Sequence, residues 1–191
     1  DLEEIYEQFE KFIGSVPAGN PVVGCGDDAR LVEIARRGSG SVVTYGFDES
    51  CDACILDAAP HGVGSTFELR LPSGKLVGGS IKQNPGAHNV ANGAAVLTLV
   101  DALGLDVELA AEKLAEFSGV RRRFDLVGEA GGVTVVDDYA HHPTEIAATI
   151  EAAKNLDFKR VHVLFQPHRY SRAPLFTEVL RDEFGCAFDG A

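Results

Sequence analysis

Between Val133 and Phe184 the chain passes twice from a short apolar segment, through a knot of charged and aromatic residues, into a helical pattern. The first pass runs from Val133–Val136 through Asp137-Asp138-Tyr139-Ala140-His141-His142 to a helix over about Pro143–Asn155, with proline suited to its first turn. The second runs from Val161–Phe165 through Gln166-Pro167-His168-Arg169-Tyr170-Ser171-Arg172 to a helix over about Ala173–Phe184. Such alternation predicts a parallel α/β unit, because parallel strands need a crossover long enough to hold a helix. In these sheets ligands gather beyond the carboxyl ends of the strands, and both polar knots fall there.

The chain before this region reads differently. Leu2, Ile5, Phe9, Phe12 and Ile13 recur at helical spacing and predict an amphipathic first helix. Pro21–Val23 and Ser41–Tyr45 read as strands, with a helix over Ala29–Arg37 between them. Residues 54–82 are apolar segments broken by Gly and Pro, which predict antiparallel strands with a turn at Pro72-Ser73-Gly74. Helices follow over about His88–Leu103 and Val107–Phe117, with Gly104 as a stop. The pattern changes at Ser118-Gly119-Val120, which places a domain boundary near residue 119. A strand at Phe124–Val127 opens the second domain, which reads as unfinished because another strand would begin around Cys186–Ala191.

Seventeen basic residues face 29 acidic ones, for a net charge of −12 over 191 residues. That argues against binding to nucleic acid or an anionic membrane, both of which need a basic surface. No apolar run reaches the roughly 20 residues of a membrane span. The opening Asp1-Leu2-Glu3-Glu4 lacks the pattern of an export signal, so a cytoplasmic protein is expected. Cys51 and Cys54 form a single C-x-x-C pair, which reads as incidental rather than as a zinc or redox site.

Gly24-Cys25-Gly26-Asp27-Asp28-Ala29 matches G-x-G-x-x-A between a strand and a helix, with Asp48 about one strand later. An NAD(P)-dependent oxidoreductase is therefore an alternative. Against it, Asp27 and Asp28 fall where pyrophosphate would meet the helix N-terminus. The structural reading makes the glycines a tight turn and one aspartate a helix cap.

Asn89 and Asn92 share one helical face, and a carboxamide offers the donor and acceptor that an adenine edge requires. A cap and a buried polar residue would look the same. Arg121-Arg122-Arg123, at the domain boundary, is either a phosphate-binding element or a solvated basic turn. Arg169 and Arg172 are three apart, a spacing at which two guanidinium groups can clamp one anion.

In their order and spacing, G-x-HN-x-x-N at residues 86–92, Arg122-Arg123-Phe124-Asp125, the Asp137–Ile146 stretch and the Phe165–Arg172 stretch resemble the Mur ligase family. The likeness is strongest over residues 80–176 and looser over 1–80. It implies the later part of a P-loop-type central ATPase domain at 1–119, followed by a truncated Rossmann-like C-terminal domain at 120–191. It implies an ATP- and Mg²⁺-dependent ligase of peptidoglycan precursor synthesis that joins L-alanine to the carboxylate of UDP-N-acetylmuramate through an acyl phosphate. A family member that recycles murein tripeptide is the alternative within the family. On the family pattern His88, Asn89 and Asn92 bind ATP, Asp138 lies in its ribose region and Arg123 reaches its phosphates. Tyr139, His141, Arg169 and Arg172 face the amino-acid and muramate end. Arg123, His141, Arg169 and Arg172 are the catalytic candidates. No G-x-x-x-x-G-K-[ST] occurs in the 191 residues. The phosphate-loop lysine and the metal ligands are therefore expected upstream of Asp1, and the chain alone is expected to be inactive.

Overall fold

Strict alternation sets the central sheet. Along Gly64–Arg70, Ser65, Phe67 and Leu69 are buried while Thr66 and Glu68 face outward, as a strand with one covered face requires. The computed structural model describes residues 2–156, 158–167, 170–172, 174 and 181–189. The strand is β4 of a five-stranded sheet in sequence order, with β1 (Pro21–Cys25), β2 (Ser41–Gly46), β3 (Ala53–His61) and β5 (Leu76–Ile81). β1 and β2 run parallel from Pro21↔Ser41 to Cys25↔Tyr45, and helix α2 (Ala29–Ala35) makes the crossover. β2 and β3 are parallel only at Tyr45↔Ala53 and Gly46↔Cys54, so the short link 47–52 suffices where longer pairing would need a crossover. β3 and β4 are joined by Gly62-Val63 alone, a link that only antiparallel neighbours allow. At the predicted Pro72–Gly74 turn the Gly74 N–H donates to the Leu71 carbonyl at 2.8 Å.

Helices α3 (Ala87–Ala102) and α4 (Val107–Glu116) cover β3–β5. Phe67, Leu69, Leu71, Val77 and Ile81 of the sheet region pack with Val90, Ala94 and Leu97 of α3 and Val107 of α4. Each such fully buried aliphatic or aromatic side chain stabilises the fold by roughly 1.5–3 kcal/mol. The Phe67 ring sits on two glycines: a Cβ on Gly79 would collide with it, and one on Gly93 would stand 3.2 Å from it. A smaller core forms from Ile13 of α1 (Leu2–Gly14) with Ile34 and Ala35 of α2, flanked by Tyr6, Val22 and Val42. The stripe predicted for α1 is only partly buried, since Ile5, Phe9 and Phe12 stay exposed.

Contacts divide the chain into two units. The first is Asp1–Ala59, Thr66–Ile81 and Asn89–Phe117; the second is Pro60–Ser65, Lys82–His88 and Ser118–Ala191. In the second unit, β6 (Asp125–Ala130) and β7 (Val133–Asp137) form an antiparallel hairpin. Gly131 and Gly132 at its tip take φ of 60° and 77°, the left-handed pair that a two-residue hairpin turn requires. The register shifts between Leu126 and Gly128. Helix α5 (Pro143–Lys154) and the short α6 (Arg181–Cys186) follow, with a single 3₁₀ turn at Tyr170–Arg172. Ile146, Ile150 and Ala187 form the core here. Phe165, Phe184 and Phe188 meet edge-on beside it, each pair of ring centroids 5.4 Å apart.

Two expectations are corrected. Val161–Phe165 is not a strand, and the alternation after residue 119 does not produce a parallel pair among the described residues. A β-prone segment becomes a strand only when a neighbour completes its hydrogen-bond ladder. Among the described residues β6 and β7 pair only with each other, so Val161–Phe165 has no strand partner, with Leu164 fully exposed and Phe165 held by its aromatic neighbours.

All four cysteines are free: Cys51 and Cys54 are buried, Cys25 is half-buried and Cys186 is exposed. Burial, with the charges of Asp27 and Asp48, pushes the Cys51 thiol above its ordinary value. Among the described residues no group of three His, Cys, Asp or Glu is placed to hold a metal, and no helix is long and apolar enough to cross a membrane.

Candidate functional site

The glycine pair after β1 is a packing device. Gly26 donates its N–H to the Tyr45 carbonyl at 2.7 Å, and a Cβ there would collide with the sulfur of Cys51. Asp28 Oδ1 accepts the Arg30 and Leu31 amides, both at 3.0 Å, so the helix N-terminus that a pyrophosphate would use is already capped. Asp27 accepts the Phe47 amide at 3.1 Å and the Asp48 amide at 3.2 Å. Two carboxylates built into the turn leave no place for a dinucleotide, and the oxidoreductase alternative loses its site.

The cluster after β7 is organised by main chain. Asp138 Oδ2 accepts the Phe124 N–H at 2.8 Å and its Oδ1 accepts the Ala140 N–H at 2.6 Å. The Tyr139 N–H donates to the Arg122 carbonyl at 2.9 Å. These bonds tie the turn before β6 to the segment after β7, one end of the hairpin. The turn is unusual: Arg122 and Phe124, neither of them glycine, hold φ of 59° and 49°. Phe124 is buried, whereas Arg123 between them is exposed. The Arg122 guanidinium lies 4.7 Å from the Tyr139 ring centroid and 3.5 Å from Asp137 Oδ2, which keeps Tyr139 in a fixed neighbourhood.

Glu145 supports the next step. Its Oε2 accepts the His141 and His142 amides at 3.1 and 3.3 Å, while His142 Nδ1 accepts the Thr144 N–H at 3.4 Å, completing a capping box at the start of α5. Burial works to raise the Glu145 carboxyl, but the two amides, with His141 and Arg123, outweigh it and hold the group below its ordinary value. His141 Nδ1 lies 2.9 Å from the Tyr139 carbonyl. A carbonyl only accepts, so Nδ1 carries a proton and the basic lone pair of the neutral ring is on Nε2. The Tyr139 and His141 rings stand 5.1 Å apart.

His88 shares this neighbourhood. Although the residue is exposed overall, partial burial of the ring lowers its pKa; Asp138 pulls it up and Arg123 pushes it down. All five of His88, Arg123, Asp138, Tyr139 and His141 belong to the second unit, where His88 feels the charges of Asp138 and Arg123, and Glu145 those of His141 and Arg123, with the Tyr139 ring beside that of His141. Asn89 and Asn92 lie on α3 in the first unit, Asn89 half-buried and Asn92 exposed. His168 and Arg169 lie outside the described residues, as does the side chain of Arg172, whose backbone closes the 3₁₀ turn.

Two organising residues went unassigned at the level of sequence. Glu145 was detectable as the glutamate three positions after the cap in a cap-x-x-Glu pattern, with histidine in place of Ser or Thr. Asn84 was not: it is buried at φ 71°, and its side chain fills the space beside Gly119.

Residues 122–184 match the family model described as Mur ligase, glutamate ligase domain. Along its whole length the chain is similar to members of the Mur ligase family. All of it aligns, at 41% identity over 191 residues, with the UDP-N-acetylmuramate–L-alanine ligase of Caldanaerobacter subterraneus subsp. tengcongensis, covering 41% of that protein. The crystal structure of UDP-N-acetylmuramate–alanine ligase from Thermotoga maritima matches with a TM-score of 0.77 at 28% identity, over 99% of this chain and 39% of that one. The MurF ligase of Thermotoga maritima, in complex with ADP, matches with a TM-score of 0.67 at 25% identity, over 80% of this chain and 35% of that one. The chain thus spans about two fifths of the length of the curated relative, 41%.

Proposed function

We propose that this chain is the later part of the ATP-binding domain (1–119) and part of the C-terminal domain (120–191) of an ATP-dependent ligase joining L-alanine to the carboxylate of UDP-N-acetylmuramate. The observation that carries the reading is 41% identity along all 191 residues to a relative of that name. The chain alone is inactive in this reading, because its sequence holds no phosphate loop.

The donor set fits ATP. Asn89 and Asn92 are carboxamides on one face of α3 and hold the adenine edge, with His88 beside them in sequence. Arg123 is exposed, permanently charged and aimed from a fixed turn, and it reaches the phosphates. No described residue is assigned to Mg²⁺, which supplies charge neutralisation to the phosphates when bound. L-alanine must lose a proton before its amine attacks the acyl phosphate, and Nε2 of His141 is the basic atom for that step. Tyr139, packed between Arg122 and His141, lines the amino-acid end. Arg169 and Arg172 are assigned on sequence alone, as the clamp for the carboxylate or the developing oxyanion.

The test is Asn89→Ala in the full-length protein. The KM for ATP rises by roughly 5- to 150-fold, the equivalent of about 1–3 kcal/mol for an unpaired buried polar group, while the KM for L-alanine holds. An unchanged ATP KM withdraws the adenine site. Amide formation with murein tripeptide but not with L-alanine turns the reading toward the recycling ligase.

A further inference from the structure

We propose that Glu145 is a positioning residue: from the first turn of α5 its carboxylate grips His141 at both main chain and ring, and so sets which imidazole nitrogen is presented to the incoming amine. The inference rests on the base role of His141 proposed above.

A neutral imidazole exists as two tautomers, and the partner of one nitrogen decides where the lone pair is left for chemistry. The His141 side chain is 19% exposed, so protein groups rather than bulk water make that choice. Two acceptors meet its Nδ1: the Tyr139 carbonyl at 2.9 Å and Glu145 Oε2 at 3.4 Å. Both attract a proton on Nδ1, and both would repel a lone pair there. The two acceptors differ in how they are held. The Tyr139 carbonyl belongs to the link between β7 and α5. Glu145 stands on a helix whose Pro143, Ile146 and Ile150 are buried, and the same Oε2 takes the His141 amide at 3.1 Å. One oxygen therefore fixes the point at which the side chain leaves the main chain and the ring nitrogen that turns toward the helix. Burial works against ionisation of this carboxyl, but the His141 and His142 amides outweigh it, so the charge is present at neutral pH. The Tyr139 ring, 5.1 Å from the imidazole and tilted 53° to it, limits how far the imidazole can rotate.

Glu145 also caps α5, and the two roles separate because the cap can be repaired from another residue. His142→Ser places a preferred capping side chain at the N-cap, in a residue with no part in the proposed chemistry. Full-length protein carrying Glu145→Ala is compared with the double variant Glu145→Ala/His142→Ser. Three readouts are taken: urea unfolding, steady-state amide formation, and nitrogen NMR of the neutral histidine rings, with His141 identified by its loss in His141→Gln. Glu145→Ala is expected to lower kcat about 10- to 100-fold, as removal of a partner that fixes an imidazole's tautomer does, while the KM for ATP holds. The His141 ring is expected to pass from one tautomer, protonated on Nδ1, to a mixture. His142→Ser is expected to restore stability and to leave both of those changes in place. Recovery of kcat together with stability overturns the proposal and leaves Glu145 a cap only. So does a His141 ring that keeps its tautomer in Glu145→Ala. If His141→Gln leaves kcat unchanged, the base reading fails instead, and the ring nitrogens alone decide whether Glu145 positions the imidazole.

Discussion

His141 Nδ1 stands 3.4 Å from Oε2 of Glu145, one helical turn further along the chain. The carboxylate closes the start of α5 and at the same time sets the environment of the ring proposed to take the amine proton. Stability and chemistry therefore meet in one side chain, which makes Glu145 a test of both.

The Glu145 carboxyl is held below its ordinary value in the fold, so its ionised form favours the folded state. That contribution is present above the unfolded value, about 4.3, and fades as pH falls through the lower folded value. Glu145→Gln is expected to cost about 0.5–2 kcal/mol at neutral pH, as loss of a cap does. It should also flatten the stability profile between about pH 5 and 3. Urea unfolding across that range checks it; a variant that tracks the parent at every pH refutes the cap.

Gly119 has φ 88°, and a Cβ there would stand 2.8 Å from Nδ2 of Asn84. Gly119→Ala is expected to destabilise by about 1–3 kcal/mol, through backbone strain and crowding together. Adding Asn84→Gly removes the crowding but leaves the strain, so thermal unfolding should recover only part of the loss. Full recovery would mean that the backbone conformation costs nothing.

Gly79 carries the Phe67 ring where a side chain would otherwise project. Gly79→Ala is expected to cost about 1–3 kcal/mol by overpacking the largest core of the first unit. Phe67→Leu in that background should restore some of it, although the same change alone destabilises. Simple addition of the two losses would show that the ring and the glycine do not share one space.

Asp28→Ala removes the acceptor for the Arg30 and Leu31 amides and is expected to cost about 1 kcal/mol. It should leave ATP titration of the full-length protein unchanged. NADH binding by either form, followed by fluorescence, would revive the dinucleotide site that the cap excludes.

The elements most readable in the sequence were those whose signals are local. The aspartate before α2 announces the helix it caps, Gly104 ends the run of α3, and Pro72–Gly74 turns the chain as written. Val161–Phe165 was misread because a run of Val, Leu and Phe declares a preference for strand without declaring a partner. The hairpin of β6 and β7 was hidden for the converse reason: Gly131-Gly132 specifies an antiparallel turn, but the helix after β7 suggested a parallel unit. At the site, residue types pointed to Arg123, His141 and Asp138, yet the geometry that relates them is carried by backbone amides, which every residue has. The left-handed turn at Arg122 and Phe124 has no signature in those two letters.

The unequal access of the four thiols turns the protein into its own clock. A brief maleimide pulse on native protein goes first to Cys186 and more slowly to the half-buried Cys25, whereas Cys51 and Cys54 gain label only when the structure around them opens. Mass analysis of the labelled chain then times the opening of the first unit against a tag already standing on the second, without any substrate, dye or added tryptophan in a sequence that contains none.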